Sequence, residues 1–178
     1  MAYTKQTDIL VVGSGLAGGV AALTAAEENK KVILITGSNT LLSGNTKWAQ
    51  GGIAYSSKQD SNLKFQEDIY NAGGHHNRKS AVEQLVDQGP KLIEELLINK
   101  LKIPFEKDKN NNLCFTAEAA HSESRIVHCK DATGSIIQKN IIEKIKKNSN
   151  ITIYTNHLAI DLLTSSHHSI SSGDIYNN

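Results

Sequence analysis

The sequence is short of the residues that define several large functional classes. Its only two cysteines, Cys114 and Cys129, lie fifteen positions apart and form no C-x-x-C pair. That spacing argues against a disulfide framework or a zinc site and fits a reducing cytoplasm. Arginine is nearly absent, with only Arg78 and Arg125, and the formal net charge is +1. So neutral a chain has no field to gather nucleic acid or an anionic membrane. No stretch is long and apolar enough to span a bilayer. The apolar start, Ile9 to Ala26, is preceded by Asp8, broken by Gly13-Ser14-Gly15 and has only Lys5 ahead of it, unlike a secretory signal. There is no internal repeat. With 39% hydrophobic and 21% charged residues, a chain of this length is expected to bury one core as a soluble cytoplasmic protein.

What is present is concentrated at the front. Asp8-Ile9-Leu10-Val11-Val12 reads as a central parallel strand buried on both faces. It runs into Gly13-Ser14-Gly15-Leu16-Ala17-Gly18, and a helix rich in small residues follows, from Leu16 to about Asn29. Lys31 to Thr36 reads as a second buried strand. In this strand–turn–helix–strand unit Gly13 serves the turn, Gly15 a close backbone approach and Gly18 the packing of helix on sheet. A dinucleotide diphosphate then sits at the helix N-terminus, where free N–H groups and the macrodipole favour an anion. An acidic residue is expected roughly twenty positions further on to bind a ribose hydroxyl. Thr36 and Gly37 stand there instead, which shifts weight from nicotinamide dehydrogenases toward flavin enzymes.

The next informative stretch is Ser43-Gly44-Asn45-Thr46-Lys47-Trp48-Ala49-Gln50-Gly51-Gly52-Ile53-Ala54. Read alone it is equally a glycine-rich surface loop or a segment lying along a flat ring. Further on, Asn62–Gly73 and Arg78–Gln88 carry apolar residues at helical spacing: Leu63, Ile69 and Ala72, then Val82, Leu85 and Val86. Pro90 is expected to begin another helix with Leu92, Ile93, Leu96 and Leu97 inward. Glu67, Asp68, Glu83, Asp87, Glu94 and Glu95 are read as solvated faces. His75-His76 and His167-His168 read as turn polarity. Leu113 to Thr116 suggests a short strand and residues 117–122 a loop. Asp131-Ala132-Thr133-Gly134 is expected to cap a helix that buries Ile137, Ile141 and Ile145. Two more strands are expected over Ile151–Thr155 and Ala159–Leu163.

Taken in order, G-S-G-L-A-G, S-G-N-T-x-x-A-Q-G-G-I-A, E-A-A-H-S, R-I-V-H and D-A-T-G resemble the L-aspartate oxidase branch of the succinate dehydrogenase and fumarate reductase flavoprotein family. The likeness covers essentially the whole chain but only the front third or so of such an enzyme. It implies an α/β, Rossmann-like FAD-binding domain, a central parallel sheet with flanking helices, incomplete relative to the family. Residues 1–178 would be its N-terminal part, without the capping and C-terminal helical domains. By resemblance, Ser14 to Ala17 and Asn45, Thr46, Lys47, Trp48, Ala49, Gln50, Gly51 and Gly52 contact FAD, with Thr133 a further cofactor candidate. Asn45 stands where respiratory relatives carry the histidine that bonds covalently to the flavin, so noncovalent FAD is implied.

On its own residues Glu118 is an exposed loop carboxylate. The resemblance places it where aspartate oxidases have a glutamate and respiratory relatives a glutamine, so it becomes a candidate to pair the substrate ammonium. His121 is a candidate to line the flavin or substrate cavity, and Arg125 to brace the loop, with a structural role open for both. No metal site is expected. The implied activity is oxidation of L-aspartate to iminoaspartate, with dioxygen or fumarate as acceptor, at the start of NAD biosynthesis. Quinolinate synthase is a candidate partner. A fumarate reductase-like flavoprotein and a non-catalytic FAD-binding remnant remain alternatives, and this chain alone is expected to bind FAD weakly without turning over substrate.

Overall fold

The computed structural model describes residues 4–57, 60–118 and 120–164. Strand β1 (Ile9–Val12), helix α1 (Leu16–Glu27) and strand β2 (Val32–Ile35) form the predicted first unit, closed by the parallel pairing of Ile9 with Val32 through Val12 with Ile35. A 3₁₀ turn (Asn45–Trp48) leads to β3 (Ile53–Ala54), followed by α2 (Asn62–Ala72) and α3 (Lys79–Leu92). β4 (Ile126–Val127) pairs antiparallel with β3. Helix α4 (Thr133–Lys147) then returns the chain to β5 (Ile151–Tyr154), which adds parallel to β2. The main sheet therefore runs β1-β2-β5, an α/β layer with flanking helices as the sequence predicted.

The core lies on one side of this sheet. Val11, Val32, Leu34 and Ile151 pack against Ala22, Leu23 and Ala26 of α1 and against Ile137, Ile141, Ile142 and Ile145 of α4. The isoleucines expected to be buried on α4 are buried. Because side chains alternate along a strand, the same strands turn Leu10, Val12, Ile33 and Ile35 the other way. No helix among the described residues covers them: Leu10 is 54% and Val12 61% exposed. β1 is therefore an edge strand open on one face, not a strand buried on both.

Several other expectations are corrected. Pro90 does not start a helix. It lies inside α3, and the helix continues from Ile93 to Lys100 with widened, π-type turns. A proline has no N–H to return to the preceding turn, yet the chain stays helical through Pro90 and widens only from Ile93 onward. On this continuous helix Ile93 and Leu97 are buried while Leu92 is exposed. Leu63 and Leu85 also face solvent, and Phe65, Val82 and Val86 form the small core that joins α2 to α3.

Leu113 to Thr116 is no strand. Leu113 and Thr116 make single bridges to Lys107 and Ile126. Ala159 to Leu163 is not paired with any strand among the described residues. Asp131 does not cap α4, whose N-cap is Ala132 without a side-chain hydrogen bond. His167-His168 lies outside the described residues.

Candidate functional site

The glycine-rich turn sits where β1 ends and α1 begins, at the carboxyl edge of the parallel sheet, the position at which open α/β sheets bind ligands. Gly13 adopts φ +104°, a left-handed conformation that costs glycine little. Gly18 lies so close to the strand's end that a Cβ there would stand 2.0 Å from the Gly13 carbonyl oxygen. The turn and the helix it opens can meet only without that side chain.

The loop 45–52 is tied across two helix N-termini. Thr46 Oγ1 accepts a hydrogen bond from the Leu16 amide at 3.1 Å. The Gly134 amide donates to the Ala49 carbonyl at 2.9 Å, and the Thr133 hydroxyl donates to the Gly51 carbonyl at 3.0 Å while accepting from the Cys129 amide at 2.9 Å. A Cβ on Gly134 would lie 1.9 Å from the Thr46 carbonyl oxygen, so this contact is backbone on backbone. Asn45, Ala49, Gln50, Gly51 and Gly52 are exposed along the loop, as is Trp48, over whose ring Lys47 Nζ sits 4.4 Å from the centroid.

Of the remaining cofactor candidates, Leu16 and Ala17 open the first turn of α1 with Ala17 exposed. Ser14 is buried and its hydroxyl donates to the Leu41 carbonyl at 3.1 Å, so it offers the site only its backbone. Thr36 is buried just past the end of β2, beside exposed Gly37. Thr133 is buried with its hydroxyl engaged as described, which leaves it holding the loop.

Glu118 is exposed at the rim of this loop. A Cβ built on Gly51 would stand 2.6 Å from Glu118 Oε1, so the carboxylate rests directly over Gly51. The Glu118 carbonyl accepts from the His121 amide at 2.9 Å. His121 turns its ring toward Phe65, centroids 5.9 Å apart, and its Nδ1 lies 3.0 Å from Arg125 Nη1. The histidine thus belongs to a cluster behind the loop.

That cluster was the part least expected. Arg125 is completely buried. Its Nε and Nη2 donate to the two carboxylate oxygens of Asp60 at 2.7 and 3.1 Å, its Nη1 donates to Asp68, and its guanidinium lies 4.6 Å from the Phe65 ring centroid. Asp68, read from the sequence as a solvated residue, also accepts the amide and hydroxyl of Ser122 at 2.9 and 3.0 Å. Asp68 leaves solvent because a buried guanidinium requires carboxylates, and α2 turns it inward beside Phe65. Burial would raise the Asp60 carboxyl, but hydrogen bonds from Arg125 and Ser56 and the guanidinium charge hold it below its ordinary value. Asp68 is balanced the same way, with burial opposed by Arg125 and Ser122.

Two further residues escaped the sequence reading. Asp60 carries no local signature. Gln138 is buried and donates through Nε2 to the carbonyls of Ser14 and Leu41. A signal for it existed, since it stands between Ile137 and Ile141 on the face of α4 where the isoleucines recur.

The geometry fits an anionic diphosphate. The turn needs glycine for close approach, the first amides of α1 have no intrahelical acceptors, and no acidic side chain stands in it. Residues 8–175 match the model of a family described as FAD binding domain. The chain belongs to this family, and its cofactor is FAD. Among curated proteins this FAD-binding chain is 36% identical over 164 residues to the L-aspartate oxidase of Halobacterium salinarum, covering 92% of itself and 31% of that protein. It is 37% identical over 162 residues to the L-aspartate oxidase of Acinetobacter baylyi, covering 90% and 29%. The chain thus spans under a third of these relatives.

Among solved structures, E. coli quinol fumarate reductase superposes with a TM-score of 0.83 at 22% identity, over 94% of this chain and 28% of that one. A Mycobacterium smegmatis Sdh1 complex gives 0.76 at 22% identity, over 84% and 27%. At that identity the likeness speaks for the fold alone. No described helix is long and apolar enough to cross a membrane.

Proposed function

We propose that the chain is the front part of the FAD-binding domain of an oxidoreductase that converts L-aspartate to iminoaspartate, using dioxygen or fumarate as acceptor, in the reducing cytoplasm. The observation that carries this reading is the Glu118 carboxylate resting over Gly51 on the loop assigned to the flavin. An exposed carboxylate at that rim can pair an ammonium group, which aspartate has and succinate lacks. Bound there, FAD supplies the electron-accepting ring. The chain's own part is to hold that ring and to present Glu118 to the substrate. The α1 turn takes the diphosphate, and the loop 45–52, tied to α1 and α4, backs the ring without a covalent link at Asn45. His121 and Arg125 fix the segment that carries Glu118. The 31% and 29% shares of the two relatives support assigning the anchors for the substrate carboxylates, and any contact with quinolinate synthase, to sequence beyond this portion.

The test takes the reading frame encoding this chain through to its stop codon and purifies the product with FAD. Aspartate added without oxygen is expected to bleach the flavin absorbance. Glu118→Gln should raise the aspartate KM at least about tenfold, the scale of one lost charge-assisted hydrogen bond. A product that reoxidises reduced dye with fumarate, yet is never bleached by aspartate, would replace this reading with a fumarate reductase. An unchanged KM in the variant would remove Glu118 from substrate recognition.

A further inference from the structure

Helix α4 presents Ile137, Gln138, Ile141, Ile142 and Ile145 to the core. Gln138 is 0% exposed. Its Nε2 donates to the Leu41 carbonyl at 3.1 Å and to the Ser14 carbonyl, while its Oε1 has no partner. Burying an amide with its oxygen unsatisfied is unfavourable. The donor half therefore does something that another isoleucine could not.

Covalent geometry says what. The Ser14–Gly15 peptide is trans, so its C=O and N–H point in opposite directions. With the Ser14 oxygen drawn onto Gln138, the Gly15 N–H is turned away from α4 and out of the core. That N–H has no acceptor among the described residues. The Ser14 hydroxyl, bound to the same Leu41 carbonyl that Gln138 holds, fastens the residue a second time. Gly15 is also the N-cap of α1, with no side-chain cap of its own.

We propose that Gln138 is a positioning residue for the cofactor's diphosphate: from the far helix it locks the Ser14–Gly15 peptide so that the Gly15 N–H is presented before FAD arrives. The inference rests on the assignment of the glycine turn to FAD. Without the lock the peptide can rotate about Ser14 ψ and Gly15 φ, an easy motion at glycine. The flipped form offers a carbonyl oxygen to an anion and repels it. If the competent orientation is then held about a tenth of the time, the apparent affinity falls about tenfold.

The experiment uses the whole 178-residue chain, ¹⁵N-labelled, as wild type, Gln138→Met and Gln138→Leu. In the ligand-free state, residual dipolar couplings report the Gly15 N–H direction. One fixed orientation is expected in the wild type and an averaged one in each variant that folds. FAD, ADP and adenosine are then titrated separately. FAD and ADP should lose about tenfold in affinity and adenosine, which has no phosphate, should lose little. Unchanged couplings in the variants overturn the lock, as does an equal loss for all three ligands, which marks a general packing role. If both variants unfold, lability of the Gly15 amide orientation in wild type warmed below its melting point overturns it equally. A wild type whose couplings are fixed but whose Gly15 amide ignores both FAD and ADP refutes the FAD assignment of the turn instead.

Discussion

Replacing Arg125 by methionine keeps the bulk of the side chain and removes the charge, leaving Asp60 and Asp68 facing a vacancy of charge in the interior. Their side chains are only 4% and 11% exposed, so water cannot replace the guanidinium. Breaking a buried pair from one side costs about 3–5 kcal/mol, a large part of the roughly 5–15 kcal/mol that holds a domain together. With a urea dependence of about 2 kcal/mol per M, the unfolding midpoint should fall by about 2 M at neutral pH.

The pH dependence gives a sharper check. Asp60 and Asp68 have folded pKa values below their unfolded ones. Their stabilisation is therefore fully present above the unfolded carboxylate pKa, about 3.9. It is lost as pH falls through the depressed folded values. In Arg125→Met the guanidinium is gone and only the serine hydrogen bonds still oppose burial, so both carboxyls shift upward relative to the wild type and the variant loses less stability on protonation. The gap between the two proteins should narrow as pH falls toward about 3, and adding Asp60→Asn and Asp68→Asn should return part of the loss at neutral pH. Urea melts followed by circular dichroism across that range measure it. A midpoint shift below about 0.5 M, or a gap independent of pH, would refute the reasoning.

Gly18→Ala puts a methyl 2.0 Å from the Gly13 carbonyl oxygen; the turn must open, and flavin binding, read by fluorescence quenching, should be lost while the urea midpoint drops. Gly134→Ala drives the Thr46 carbonyl away from α4 and should weaken FAD more than free ADP, because the loop 45–52 moves and the α1 turn does not. Burial, with a smaller contribution from Glu106, pushes the Cys129 thiol up, and its Sγ is held 3.3 Å from the Pro104 carbonyl. At neutral pH an aromatic disulfide reagent should therefore titrate Cys114 in the native chain and reach Cys129 only on unfolding.

What the sequence disclosed follows from how local each requirement is. The β1–α1 turn was legible because its glycines answer needs set within six residues: a left-handed φ at Gly13 and a close approach at Gly18. The buried face of α4 was legible because isoleucines recur at helical spacing. The exposure of Leu10 and Val12 was not, since an apolar strand reads the same whether or not something covers it. The Arg125 cluster joins positions 57 and 65 residues apart, and nothing beside Asp60 or Asp68 marks them as its partners. Pro90 was misplaced because a proline suits a first turn, while a helix that widens after it leaves no separate pattern. The positions of Glu118 and the loop 45–52 came from resemblance, and the structure adds their proximity through Gly51.

The most direct measurement of the central claim is a titration of the ¹⁵N-labelled chain with FAD, followed amide by amide. The account predicts saturable shifts at Gly15, Leu16, Ala17 and Gly18 and along residues 45–52, with the α1 set reversed by excess ADP. Shifts confined to the opposite end of the sheet, around Lys5, Thr7 and Lys31, or no saturable shift at the glycine turn, would contradict it.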